Sequence, residues 1–113
     1  MDVQFKKNKM QKTCESEKRL IKTFGQSRAR KIQRRLTVLR DADCLEQISH
    51  KPPERRHQLS GNRDEEFTVD IEDQWRIIFK PNHNEIPRKE DGGIDISKVT
   101  AISIIDICED THQ

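Results

Sequence analysis

The 113 residues suffice for one small domain, and with 31% hydrophobic and 37% charged residues they can bury only a small core. Periodic blocks of apolar residues exclude a wholly disordered chain, and the lack of an apolar leader or of any apolar run near roughly 20 residues predicts neither a signal peptide nor a membrane span. Residues 1–40 hold 13 Lys and Arg against 3 Asp and Glu, a net charge of +10, whereas residues 41–113 hold 9 against 17, a net charge of −8, which favours a polyanion partner, an acidic protein partner, or both.

The first half of the chain predicts a strand and two helices. Residues 3–5 alternate between apolar and polar and predict a short strand. A helix should run from Asn8, which can cap it, to about Phe24, with Gly25 as its stop. Ser27 is the predicted N-cap of a second helix. The apolar residues of that helix follow the spacing of one helix face: Ala29, Ile32, Leu36 and Leu39. The two helices should form a hairpin whose apolar side faces one surface.

The second half predicts a helical turn followed by strands. The turn spans Asp43 to His50, and Pro52-Pro53 ends it because proline cannot continue a helix. Residues 66–72 alternate cleanly between apolar and polar, which predicts a strand with one buried face. Residues 74–80 predict a second strand, joined to the first by a tight turn.

The last third predicts a long connection and a final strand. Residues 81–98 are polar and contain proline and glycine, so we expect a long loop or insertion. Residues 99–108 are rich in Ile and Val and predict a central strand buried on both faces. The predicted order is β-α-α-β-β-β in a single α+β domain over residues 1–113, with the hairpin packed on one face of the sheet.

Two histidines and an arginine are candidates for one site. His57 should sit at the entrance to the strand that starts near residue 66. On the next strand Arg76 projects opposite Trp75 because side chains alternate between the two faces. If the helices cover Trp75, Arg76 points to the open side of the sheet. His112 lies just beyond the last strand and can turn to the same side.

These residue types suit RNA cleavage. A 2′-hydroxyl must lose a proton and attack its own phosphate, and the 5′-oxygen must leave. Histidine suits the two proton transfers, and guanidinium groups suit the negative charge that develops on the phosphate. His57 and His112 are therefore the predicted acid and base, in either order, with Arg76 as the phosphate contact. Asp110 can orient a histidine or take part in proton transfer, and no metal or other cofactor is required.

Three motifs carry a family resemblance. The chain reads Arg-Arg-His-Gln-Leu-Ser-Gly-Asn-Arg, then Asp-Gln-Trp-Arg-Ile-Ile-Phe, then Glu-Asp-Thr-His at its end. In these motifs and in its element order it resembles the HigB-type toxins, the plasmid maintenance killer branch of the RelE/ParE superfamily of type II toxin–antitoxin systems. The resemblance covers nearly the whole chain except residues 81–98, and it implies a RelE/ParE-like fold with a small, antiparallel-rich sheet.

The resemblance also implies a function and partners. The expected activity is that of a ribosome-dependent mRNA endoribonuclease that cuts mRNA in the 30S A site and so inhibits translation and growth. The expected partner is a HigA-like helix-turn-helix antitoxin in a hetero-oligomeric complex. The family's active site maps onto His57, Arg76, Asp110 and His112. Two positions depart from its pattern, because Thr111 replaces a tyrosine and Ser60 replaces a lysine found in some members.

Several further residues are candidates for RNA binding. A basic stripe on the second predicted helix can attract ribosomal RNA phosphates, although such stripes are more often solvated faces, and an acidic antitoxin surface is a competing explanation. The stripe comprises Arg28, Lys31, Arg34 and Arg35. Near the candidate site, Ser60 and Gln74 are candidate RNA contacts, and Arg56 or Arg63 can supply the charge that the missing lysine would have given.

Other interpretations stay open. A ParE-like gyrase poison would share the fold but would need no acid–base groups. A catalytically degenerate member would only bind an antitoxin, and Thr111 keeps that interpretation open. Arg76 can instead pair with Asp70 or Glu72 across the sheet, and Trp75 is expected in the core. His50, His83 and the cysteines show no metal-ligand spacing, so no metal site is predicted. The three widely spaced cysteines favour reduced thiols in a cytoplasmic protein.

Overall fold

Three helices and a five-stranded mixed sheet make up residues 1–109, the part of the chain that the computed structural model describes. The helices and strands are, in chain order, β1 (Asp2–Phe5), α1 (Asn8–Cys14), α2 (Glu17–Phe24), α3 (Gln26–Asp41), β2 (His57–Gln58), β3 (Phe67–Glu72), β4 (Trp75–Pro81) and β5 (Ala101–Glu109). This arrangement confirms the predicted α+β class. No helix among these residues is long and apolar enough to cross a bilayer.

The sheet has the strand order β1-β5-β4-β3-β2. β1 and β5 are parallel, and the other neighbours are antiparallel. The central strand is therefore β4, and the prediction of a last strand buried on both faces is wrong. In β5, Ile102 and Ile104 are buried on the helix side, whereas Ser103 is half-buried and Asp106 is exposed. The helices cover only one face of the sheet, so β5 has one buried face and one partly exposed face despite its Ile- and Val-rich sequence.

The predicted first helix is two helices. α1 ends at Cys14, and the hydroxyl of Ser16 caps α2 by accepting a hydrogen bond from the Arg19 amide at 3.2 Å. The apolar spacing alone did not reveal this break, because serine is compatible with a helix interior as well as with an N-cap. Gly25 ends α2 as predicted, and its φ of 87° turns the chain at once into α3. α3 therefore begins at Gln26, and the predicted cap at Ser27 is wrong.

The core lies between the helices and one face of the sheet. Leu20 of α2 and Ile32 of α3 are fully buried against Ile77 and Phe79 of β4. Each such side chain contributes about 1.5–3 kcal/mol when it leaves water. Trp75 packs edge-on against Phe24, with ring centroids 5.9 Å apart, and so lies on the helix side as predicted.

The connections between the main elements add an unpredicted strand. The segment before β2 contains one 3₁₀ turn, Leu45–Gln47, in the stretch where a helical turn was predicted. The strand β2 that follows was not predicted, and it forms a new edge of the sheet. The loop over residues 81–98 is largely irregular, with a bridge between Arg88 and Ile94 and a 3₁₀ turn at Ile96–Lys98. Ile94 is buried, so the loop also covers part of the core.

A buried arginine joins the helices to the sheet. Arg35 of α3 is only 8% exposed, and its Nε donates to the carbonyl oxygen of Asp70 at 2.7 Å. Its second contact is with the carbonyl oxygen of Ile71 at 3.5 Å. The β3–β4 ladder shifts register between Asp70 and Glu72, so Arg35 provides donors where the regular ladder is interrupted.

Replacing Arg35 should destabilise the fold. Arg35→Ala leaves one part-buried and one buried carbonyl group without this donor, and we expect the free energy of unfolding to fall by about 2–3 kcal/mol. The exposed neighbour Arg34 is the matched control, and Arg34→Ala should change stability by less than about 0.5 kcal/mol. Urea denaturation of both variants measures the difference. If both variants lose the same free energy of unfolding, the Arg35 contacts contribute nothing to stability beyond the charge of a surface arginine.

Candidate active site

A cleft of about 300 Å³ opens on the side of the sheet that the helices leave uncovered. Its lining includes three residues predicted to be functional, namely Arg56, His57 and Arg76. His57 lies opposite Thr68 in the β2–β3 pair, and Arg76 lies opposite Asp70 in the β3–β4 pair. The alternation of the strands therefore places Arg76 on the open face, as predicted, and the short edge strand β2 brings His57 to the same recess.

Asp70 organises two of the arginines in this cleft. Its Oδ1 lies 3.2 Å from Nε of Arg76, and its Oδ2 lies 3.2 Å from a terminal nitrogen of Arg55. The first contact is largely protected from solvent, since the two side chains are 15% and 16% exposed. The open alternative that Arg76 pairs with Asp70 is therefore confirmed. This pairing does not exclude a second role, because a guanidinium has five N–H donors.

Arg55 is a cleft residue that sequence reasoning missed. It has a φ of 48°, and its amide closes a turn on the carbonyl oxygen of Lys51 at 3.0 Å. A left-handed conformation is uncommon for a residue with a side chain and recurs at functional sites. Its side chain remains 60% exposed while it contacts Asp70. The turn thus presents an exposed cation at the mouth of the cleft, and no spacing pattern signals it in advance.

Arg56 is held more firmly than Arg55. Its Nε donates to the carbonyl oxygen of Ile48 at 2.9 Å, and its amide donates to that of Ser49 at 2.8 Å. Burial lowers the pKa of Arg56, but arginine stays protonated at neutral pH. Arg56 therefore adds positive charge to the cleft wall from a fixed position.

The cleft contains a second histidine. His50 and His57 are both exposed and both line the recess. His50 drew attention in the sequence only as a possible metal ligand, because nothing in the spacing shows that the turn at residues 51–55 folds it back toward β3. Histidine exchanges protons in the physiological pH range, so the recess offers two groups able to transfer protons.

Three other predicted RNA contacts lie outside the lining of this cleft. Arg63 sits in a 3₁₀ turn and pairs with Glu66 at 2.8 Å. Ser60 is exposed beside the buried Leu59, which anchors this turn. Gln74 is exposed in the turn between β3 and β4. These positions border the open face but do not line the cleft around Asp70.

The predicted basic stripe on α3 is not a single exposed surface. Glu72 lies 3.0 Å from the Lys31 ammonium and 3.4 Å from Nε of Arg28. Arg28 also stacks 4.3 Å above the Trp75 ring. Arg35 is buried beneath the helix, so its guanidinium is not available to a phosphate. Of the stripe, Arg34 alone is classed as exposed.

The remaining two predicted catalytic residues, Asp110 and His112, lie outside the described residues, as does Thr111. β5 ends at Glu109, opposite Trp75, and Cys108 is opposite Arg76. The last described residues therefore lie beside the strand that carries Arg76.

Residues 1–109 contain no group of three or more His, Cys, Asp or Glu placed to hold a metal ion. Burial raises the pKa of the Cys14 thiol to about 11, which makes this thiol a poor nucleophile at neutral pH. The ionisable side chains that line the cleft are two histidines, three arginines and one aspartate.

Comparison with known proteins identified no relative. No family model matches this chain, and neither a curated protein nor a solved structure matches it significantly.

The Glu72 cluster predicts a pH dependence of stability. The hydrogen bond from Lys31, followed by the charges of Lys31 and Arg28, lowers the pKa of Glu72 below its usual range. A lowered folded-state pKa means that ionised Glu72 stabilises the fold above the pKa of the unfolded chain, and that this contribution is lost as pH falls through the folded-state pKa. The wild type should therefore exceed Glu72→Gln in stability at neutral pH, and the gap should narrow in acid.

Urea denaturation at about pH 7 and about pH 3 measures that gap on both sides of the usual carboxyl range. Glu90→Gln removes an exposed carboxylate elsewhere and is the matched control. If the stability difference between the wild type and Glu72→Gln is the same at both pH values, the lowered pKa of Glu72 is contradicted.

Proposed function

We propose that this protein is a HigB-type toxin of the RelE/ParE superfamily, with the corresponding fold, and that it cleaves mRNA on the ribosome. The observation that carries the proposal is the meeting of His57 and Arg76 in one cleft. They come from two separate sequence motifs, and the sheet register brings them together with Arg55 and Arg56. The choice of the HigB type rests on the resemblance of those motifs alone.

The charge of the cleft suits a phosphate. Three arginines and one aspartate line it, which leaves a formal charge of +2 before either histidine is protonated. Guanidinium groups bind phosphate through paired N–H donors. Asp70 holds Arg55 through one terminal nitrogen, and the Arg55 side chain is 60% exposed, so its other N–H groups can be directed to a substrate. An RNA phosphodiester, with one negative charge, would offset half of the excess charge that Asp70 leaves.

The proposed reaction needs two proton transfers and no metal. One histidine removes the proton from a 2′-hydroxyl, O2′ bonds to phosphorus, and the P–O5′ bond breaks. The second histidine protonates O5′, and the products end in a 2′,3′-cyclic phosphate and a 5′-hydroxyl. Arg76 stabilises the negative charge on the non-bridging oxygens. His57 is one of the two histidines in this proposal.

The second histidine has two candidates. The family resemblance points to His112, with Asp110 orienting it. The cleft itself offers His50, which lines the recess with His57. The expected partners are mRNA in the 30S A site and a HigA-like antitoxin that holds the toxin inactive in a hetero-oligomer. Both partners place the proposed activity in the cytoplasm.

A second function has one observation in its favour. Asp70 already pairs with both Arg55 and Arg76, which is also what a purely structural network would show. A catalytically degenerate protein that only binds an antitoxin would keep this network and lose cleavage. The ParE-like alternative, a gyrase poison, uses the same fold without the histidines.

Cleavage in a purified ribosome–mRNA complex tests the proposal. His57→Gln should lower the cleavage rate by about 10²–10⁴-fold because it removes a proton-transfer group. Arg76→Ala should lower it by about 10²–10³-fold because a charge-stabilising donor is lost. His83→Gln is the matched control, since His83 lies outside the cleft and accepts a hydrogen bond from the Thr100 amide that a glutamine oxygen can also accept.

The same assay identifies the second histidine, and a DNA-cleavage assay with purified gyrase separates the alternative functions. Comparing His50→Gln with His112→Gln identifies the second histidine by the larger loss of rate. If the His57→Gln variant cleaves mRNA at the wild-type rate, His57 is not part of the mechanism. If the wild type cuts no mRNA but causes gyrase-dependent DNA breaks, the ParE-like function holds, and if it does neither, the degenerate function holds.

A further inference from the structure

A second recess, larger than the cleft, lies between α1 and α2. It has a volume of about 680 Å³. Six of the residues that line it are basic residues and threonines: Lys9, Lys12, Thr13, Arg19, Lys22 and Thr23. We call it the α1–α2 groove. It belongs to the helical layer, whereas the candidate active site opens on the other face of the sheet.

The break between the helices creates this groove. On α1, Lys9, Lys12 and Thr13 have the spacing i, i+3, i+4, which places them on one face of the helix. α2 repeats the same spacing with its own two cations and threonine. Because α2 restarts at the Ser16 cap, the two faces line one recess instead of continuing along one helix.

The four cations of the groove are Lys9, Lys12, Arg19 and Lys22. Within residues 1–109 none of them forms an ion pair within 4 Å, whereas seven other cations do. Glu15 and Glu17 occupy the bend between the helices, but neither lines the groove. The groove therefore concentrates four uncompensated charges, and it accounts for part of the basic excess of residues 1–40.

We propose that the α1–α2 groove binds the phosphate backbone of RNA. Repulsion among four cations in one recess is relieved by a polyanion, and each phosphate that they neutralise releases counterions. The phosphate chemistry rests on the groove alone, while the choice of RNA rests on the proposed function. On that function the groove would hold ribosomal RNA, in place of the α3 stripe, in which Arg28 and Lys31 are paired and Arg35 is buried.

Binding of RNA that cannot be cleaved tests the groove by itself. The probes are a fluorescein-labelled 2′-O-methyl single strand and the corresponding duplex, titrated by fluorescence anisotropy over a series of salt concentrations. The test variant is Lys12→Gln/Lys22→Gln. The control is Lys89→Gln/Lys98→Gln, which removes two exposed lysines from the loop over residues 81–98. Circular dichroism checks that both variants keep the fold.

Loss of two phosphate contacts should weaken binding and make the plot of log K against log salt shallower. The expected change in slope is about 1.4 for the single strand and about 1.8 for the duplex, and the larger affinity identifies which form the groove prefers. The control variant should keep the wild-type slope. Equal changes in the two variants would overturn the proposal, because the attraction would then be a property of overall charge.

A third probe distinguishes RNA from an acidic protein surface. If the groove variant loses affinity for polyglutamate but not for RNA, the groove is a protein interface and the proposal is overturned. The experiment is also separate from the cleavage function. If the wild type cuts no mRNA, the cleavage function fails, whereas the salt dependence measured here is unaffected by that result, so the two proposals can fail separately.

Discussion

Asp70 is the residue on which both layers of this protein depend. Its carbonyl oxygen accepts a hydrogen bond from Arg35 of α3, and its amide donates to the carbonyl oxygen of Glu54 at 2.7 Å. Its carboxylate pairs with Arg76 on one side and with Arg55 on the other. One residue thus ties the helical layer, the turn before β2 and the central strand together. A rigid arrangement of this kind is what a site that must aim charges at a phosphate requires.

The two faces of the molecule then divide the basic charge between them. On the open face, three arginines surround one carboxylate, so a modest positive excess is held in fixed geometry. On the helical face, the α1–α2 groove carries four cations that form no ion pair with the described residues 1–109. The first arrangement suits the positioning of one phosphate, and the second suits attraction to many. Together they are consistent with an enzyme that acts on RNA while it is held on a larger RNA surface.

Sequence reasoning succeeded where a regular period governs the structure. The two-residue alternation of β3 and β4 was enough to place Arg76 on the open face. It failed where a contact joins distant residues. Arg35 and its carbonyl partner are 35 residues apart in the sequence. The long aliphatic stem of Arg35 lets its guanidinium reach from α3 to the sheet, whereas the sequence placed Arg35 in a basic stripe on the helix surface. The left-handed turn at Arg55 and the restart of the helix after Ser16 are local events that no periodicity signals.

The most direct test of the account concerns the attacking oxygen. An mRNA with a single 2′-deoxynucleotide on the 5′ side of the mapped cut lacks the nucleophile of the proposed reaction. In a ribosome complex with the wild-type protein, this substitution should abolish cleavage at that bond, whereas the all-ribose mRNA should yield a 2′,3′-cyclic phosphate and a 5′-hydroxyl. Undiminished cleavage of the deoxy substrate, or products that carry a 5′-phosphate, would contradict the mechanism built on His57 and Arg76.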